Sequence, residues 1–163
     1  MRSVLLALLL ALPLPAAAAE GRYLGVVLGT AHVGTDSLNG VNPGLTLGRR
    51  WEAGGPGVEW HLEGGVFLNS YEEVSPLVLG GVSARVAAVP GGTLRAGVSV
   101  GTAYYGALSD SLDERGVPTF EGFIPLVGAT LAYRGERVET RLAALPPGDG
   151  VDAVVNLSLA IGF

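Results

Sequence analysis

The sequence predicts an all-β protein: an eight-stranded antiparallel up-and-down transmembrane β-barrel of the outer-membrane type. Three observations predict it. The final stretch alternates strictly, with Phe163, Ile161, Leu159, Leu157 and Val155 on one face and Gly162, Ala160, Ser158 and Asn156 on the other. Seven more segments of similar alternation precede it, joined by short turns and longer loops in alternation. The chain is 48% apolar, yet its 26 glycines and scattered charges leave no run of membrane-helix length after the first nineteen residues.

Those first residues read as a secretory signal peptide spanning 1–19. Arg2 supplies the positive end, Val4 to Leu14 an apolar run broken by Pro13, and Ala16 to Ala19 a small-residue cleavage site. The barrel domain is then 20–163. With no cysteine, neither a disulfide framework nor a thiol nucleophile is available. A net charge of −5 offers no basic patch, which argues against nucleic acid.

Each strand follows from its alternation. Strand 1, Arg22 to Thr30, sends Leu24, Val26 and Leu28 outward. A polar loop over Gly34 to Gly40 leads to strand 2, Asn42 to Trp51, with Leu45, Leu47 and Trp51 outward. After the Glu52 to Gly57 turn, strand 3 covers Val58 to Asn69. It places Trp60, Leu62, Val66 and Leu68 on one face and Glu59, His61, Glu63, Gly65 and Phe67 on the other, so the ionisable face points into the lumen. Strand 4 runs from Pro76 to Val89 and ends at the Pro90-Gly91-Gly92 turn. Strand 5, Thr93 to Tyr105, alternates most cleanly, with Arg95, Gly97, Ser99, Gly101 and Ala103 inward. Gly106 to Phe120 is the longest and most polar connection. Strand 6 spans Gly122 to Tyr133, strand 7 Val138 to Leu145, and strand 8 is the final stretch, closing on strand 1.

An even strand number with short turns at one end and long loops at the other is the pattern of a bacterial outer-membrane barrel, so that compartment is the expected location. The competing architecture is a soluble lipocalin-like barrel. It would not need aromatic residues such as Trp51, Trp60, Tyr104, Tyr133 and Phe163 at the ends of the outward stripe. Phe163 also resembles the terminal signal read by the outer-membrane assembly machinery, an expected partner; a monomer is expected.

Within the lumen, Glu59, His61, Glu63, Arg85, Arg95, Glu139 and Arg141 form a charged set that pairs across the lower half, because unpaired charges there are costly. Above it, Gly25, Val27, Gly29, Gly97, Ser99, Gly101 and Ala103 leave volume that suits an acyl chain. His61 reads as a pairing residue of the lumen. His32 and Ser70 stand at the same rim, and a hydroxyl beside an imidazole is the minimum for acyl transfer. His32 has the parity of the outward residues Leu24 to Thr30, so it serves only if strand 1 ends or bulges before it.

Trp60-His61, Asn69-Ser70-Tyr71, Pro76, Gly80-Gly81, Ile124-Pro125-Leu126 and Leu145-Pro146-Pro147-Gly148 resemble, in order and spacing, the PagP family of outer-membrane lipid A palmitoyltransferases. The resemblance is clearest from Asn42 to the C-terminus. It implies His32 and Ser70 as catalytic residues, and Asn69 in the place of the family's acid. A neutral amide there can orient an imidazole but cannot balance its charge. It implies Gly81 as the floor of an acyl-chain ruler, shared with the small residues Gly97 and Gly101. It further implies that Pro43, Pro125 and Pro146 or Pro147 open the wall to lipid, since proline has no amide hydrogen for the ladder. Outer-membrane phospholipid and lipid A would be the substrates, with no metal or other cofactor. The alternatives are a non-catalytic barrel with a structural, lipid-binding or surface-modifying role, and a lipid A deacylase. The last normally carries His-x-Ser on one strand, whereas His32 is followed by Val33-Gly34 and His61 by Leu62-Glu63.

Overall fold

A computed structural model describes residues 21–163 except Asp36, Ala107 and 147–150; the expected signal peptide and Pro147 lie outside the described residues. Eight antiparallel strands close in chain order: β1 (Arg22–Val33), β2 (Gly44–Glu52), β3 (Val58–Leu68), β4 (Val74–Val89), β5 (Gly92–Tyr104), β6 (Phe123–Arg134), β7 (Val138–Leu145) and β8 (Ala153–Gly162). β8 pairs with β1 from Tyr23↔Gly162 to Val33↔Ala153, which closes the barrel. The upper end, where Ser70 and His32 sit, carries the longer loops.

Alternation sorts the side chains as the sequence predicts. Leu47, Leu62, Val98, Val100, Val127 and Leu131 are all more than half exposed on the outer wall, and Trp51 pairs with Trp60 near its lower edge. The outer wall therefore carries the apolar stripe that the alternation predicts. Among the described residues no helix is long and apolar enough to cross a membrane.

β1 departs from simple alternation. Val27 faces Ser158 and Gly29 faces Leu157, leaving Leu28 as an extra residue in a β-bulge. An extra residue inverts the phase of everything above it. Thr30 and His32, outward by plain alternation, therefore turn inward, and Gly29, expected in the lumen, does not line it. β1 also continues to Val33, three residues beyond its expected end.

The inward glycines leave less open space than their small size suggests, because larger neighbours lean into them. A Cβ on Gly48 would meet the Tyr23 ring at 2.1 Å, one on Gly25 the Thr46 hydroxyl at 2.0 Å, and one on Gly81 the His61 ring at 2.5 Å. Each is a small-to-large step across adjacent strands, the packing that fills a narrow barrel.

The lower lumen is closed by ions. Glu59 pairs with Arg95 at 3.2 Å and Arg134 at 2.8 Å; Arg134 reaches Glu139. Glu139 in turn holds Arg50 at 2.7 Å and Arg141 at 2.6 Å, and Arg141 holds Glu63 at 2.8 Å. Tyr23 donates to Glu63 at 2.6 Å, and the guanidiniums of Arg50 and Arg141 lie 4.1 and 4.7 Å from its ring centre. Every carboxylate thus meets at least one arginine, the condition for burying charge without large loss. Arg85 is exposed at the lower rim.

The upper mouth is closed differently. Inside the long β5–β6 connection lies a short helix, α1 (Leu108–Glu114), which the polar sequence Ser-Asp-Ser did not announce. Its Leu112 is 3% exposed and packs on Ala103 and Ile124, with Phe67, Tyr71 and Tyr105 around it. One leucine carries the helix onto the barrel.

Candidate active site

Between the ionic floor and the α1 cap lies a cavity of about 530 Å³. Its middle is lined by Val27, Leu77, Leu79, Gly97, Leu126 and Ala143, its upper rim by His32, Asn42, Ser70 and Tyr71. A mostly apolar hollow with a few convergent polar groups at one end is the usual form of a ligand site.

At that rim His32 Nε2 lies 2.9 Å from Ser70 Oγ. Two different devices bring them together. The Leu28 bulge turns His32 inward, while Ser70 stands two residues past Leu68, the last residue of β3, in a tight turn. With the imidazole protonated on Nδ1, Nε2 accepts the serine hydroxyl proton, which is the arrangement of a base and its nucleophile.

Asn69 is placed next to Ser70, and its carboxamide bonds to its own turn. Its Oδ1 accepts from the backbone N–H groups of Tyr71 at 2.9 Å and Glu73 at 3.0 Å, and its Nδ2 donates to Ser75 Oγ at 3.0 Å. The side chain is fully buried and spent on its own turn, which Glu72 completes with a φ of 65°. Asn69 is expected to orient His32; the bonds it makes shape the turn that presents Ser70.

The other candidates divide. Gly97 borders the cavity. Gly81 points inward but is covered by the His61 ring, whose Nε2 lies 3.1 Å from Ser99 Oγ, so the surface met from above is His61 with Ser99. Gly101 is filled by Leu79, whose Cδ2 would be 2.8 Å from a Cβ there. It borders instead a groove of about 520 Å³ on the outer wall, together with Phe120, Phe123 and Pro125.

The prolines mark places where the wall is unpaired. The β6–β7 register ends at Ala129↔Ala144, while β6 continues upward through Pro125 to Phe123. Pro125, Pro146 and Val127 border the lumen cavity although Pro125 and Val127 have outward parity, so the cavity reaches the outer surface here. Pro118, Ile124 and Pro125 border both the cavity and the outer groove. On the other side, the β1–β2 register ends at Val27↔Gly44, next to Pro43, although Thr30 N–H still donates to Gly40 O at 2.8 Å.

Asn42 is the site residue that alternation alone passed over. It is 1% exposed, donates through Nδ2 to Leu68 O at 3.1 Å, and has the same nitrogen 3.5 Å from Ser70 Oγ. The available signal was its inward parity with Thr46 and Arg50, at the height of Ser70. Among the described residues no cluster of His, Asp or Glu is suited to hold a metal ion. Neither a protein-family model nor a curated protein matches this chain.

Proposed function

We propose that this chain is an outer-membrane acyltransferase of PagP-like type, moving a palmitoyl-type chain from a phospholipid to lipid A. The observation that carries the reading is the 2.9 Å approach of His32 to Ser70 at the mouth of an apolar cavity. In the first step Ser70 Oγ attacks the phospholipid ester carbonyl and its proton passes to His32 Nε2. The C–O bond to glycerol then breaks, and the departing alkoxide takes that proton, leaving an acyl-serine. In the second step a hydroxyl of the acceptor gives its proton to His32 and attacks the acyl carbon; the bond from that carbon to Ser70 Oγ breaks, and Oγ takes the proton back from His32. A positioned base of this kind contributes about 10²–10⁴-fold.

The unpaired stretch at Pro125 and Pro146, continuous with the outer groove, suits a lipid that enters sideways while α1 closes the top. The acyl chain would lie in the cavity with its methyl end on His61. Insertion in the bacterial outer membrane, with the assembly machinery reading the Phe163 strand, fits the apolar wall.

The second reading is a non-catalytic lipid-holding barrel. It is favoured by the neutral Asn69, whose carboxamide is committed to its own turn. Mass spectrometry of lipid A from cells expressing the chain separates the two. An added C16 mass that disappears with Ser70→Ala and with His32→Ala is the expected result. Unchanged lipid A around a correctly inserted barrel refutes the enzyme.

A further inference from the structure

Asn42 stands out as a polar side chain kept where it is expensive. It is 1% exposed, and its Oδ1 is the buried side-chain atom that finds no partner among the described residues. An unpaired buried acceptor lowers stability, and a small apolar side chain would avoid that cost. The orientation of the amide is nevertheless fixed. Nδ2 donates to Leu68 O at 3.1 Å, and rotating the amide by half a turn would set two oxygens against each other there.

The second hydrogen on Nδ2 is directed at Ser70 Oγ, 3.5 Å away. A hydroxyl with an N–H facing it from one side sends its own proton elsewhere. The acceptor within reach is His32 Nε2, 2.9 Å away. When Oγ bonds to a carbonyl carbon, the former carbonyl oxygen becomes an anion attached to that same carbon. A donor sitting just beyond hydrogen-bond length from Oγ can reach this oxygen at the optimum of about 2.7–3.1 Å.

We propose that Asn42 is a third catalytic residue: its carboxamide N–H directs the Ser70 hydroxyl proton to His32 and then stabilises the oxyanion formed at the acyl carbon. This rests on the acyl-transfer reading of the His32–Ser70 pair. It gives a role to an amide whose oxygen is left unpaired. It also gives the site an N–H for the oxyanion, from the residues just before β2, without any contribution from Asn69.

The test uses the full chain folded in detergent micelles and a fluorophosphonate, which phosphonylates activated serines and is read by intact mass. Wild type is expected to be labelled at Ser70, and Ser70→Ala not at all. Asn42→Leu, similar in shape but without an N–H, should lower the labelling rate about 100-fold at every pH, because the lost donor acts on the transition state. His32→Ala should instead lower the rate and remove its pH midpoint. Asn42→Leu should unfold at a denaturant concentration close to wild type, since it sheds the unpaired Oδ1 and loses the bond to Leu68 O together. If Asn42→Leu does not fold, Asn42→Asp, which keeps the size and lacks the N–H, must show the same loss. Labelling of either variant at the wild-type rate overturns the proposal, as does wild type that is never labelled. Wild type that labels at Ser70 in an Asn42-dependent way, yet leaves lipid A unchanged in cells, supports Asn42 and refutes only the proposed acceptor.

Discussion

Replacing Glu139 with glutamine tests whether the ionic floor holds the barrel shut. Glu139 is 4% exposed and is the shared partner of Arg50, Arg134 and Arg141. The network as a whole sets four arginines, Arg50, Arg95, Arg134 and Arg141, against three glutamates, Glu59, Glu63 and Glu139. Glutamine removes the charge that three guanidiniums share, and its amide nitrogen would face a cation. Breaking a buried pair by removing one partner costs about 3–5 kcal/mol, and three cations on one anion place Glu139→Gln at the upper end of that range. Glu63→Gln should cost less, since Glu63 serves a single arginine, Arg141, besides Tyr23. Adding Arg50→Met to Glu139→Gln should recover part of the loss, with a coupling of about 1–3 kcal/mol. The assay is urea unfolding of the barrel in micelles, followed by the fluorescence of Trp51 and Trp60, which face each other across β2 and β3. With a slope of about 2 kcal/mol per molar urea, the midpoint should fall by roughly 2.5 M. A Glu139→Gln midpoint within about 0.3 M of wild type, on that same slope, would refute the argument that these charges depend on one another.

Other consequences follow from single contacts. Asn69→Ala removes three hydrogen bonds from the Ser70 turn and should cost about 2–4 kcal/mol in the same unfolding assay, whereas Asn69→Asp keeps the two backbone contacts and should stay within about 1 kcal/mol. Gly81→Ala would place a methyl 2.5 Å from His61 Cε1 and 2.3 Å from Val98 O, so ring and strand must both shift. The ring should rise into the cavity by about 1 Å, and the transferred chain, read from lipid A masses, should shorten by one or two carbons, since extended chains advance about 1.2 Å per bond. Leu112→Ala removes the contact that carries α1, and should release the helix by about 2–3 kcal/mol, seen as faster amide exchange over Leu108–Glu114 and little change in the strands.

The barrel was legible in the sequence because alternation is a local signal repeated eight times. β7 begins and ends where its pattern does, and the other strands differ from expectation by a few residues at their ends. α1 was not legible, since seven residues with one buried leucine give no helical period against a polar loop. The bulge at Leu28 could be stated only as a condition on His32, because where a ladder absorbs an extra residue depends on the partner strands. The filling of Gly25, Gly48 and Gly81 depends on Thr46, Tyr23 and His61 from neighbouring strands, a relation that needs the register. The turn role of Asn69 was not read from the sequence for a chemical reason: an amide beside a serine reads as its helper, yet Asn is equally a turn residue, and its Oδ1 accepts from the backbone N–H groups of Tyr71 and Glu73.

Leu28 carries a wider consequence. Because it is surplus to the pairing between Val27 and Gly29, a chain lacking it would keep the same partners on β8 and the same imidazole in the lumen. What such a chain would lose is the local kink and extra twist that a bulge imposes, and with them the angle at which His32 approaches Ser70. Counting residues from the start of the strand therefore misassigns the inside and outside of this wall, in this chain or in any close variant. The reliable count starts from the neighbour: whatever stands opposite Val154 is the residue that looks at the serine.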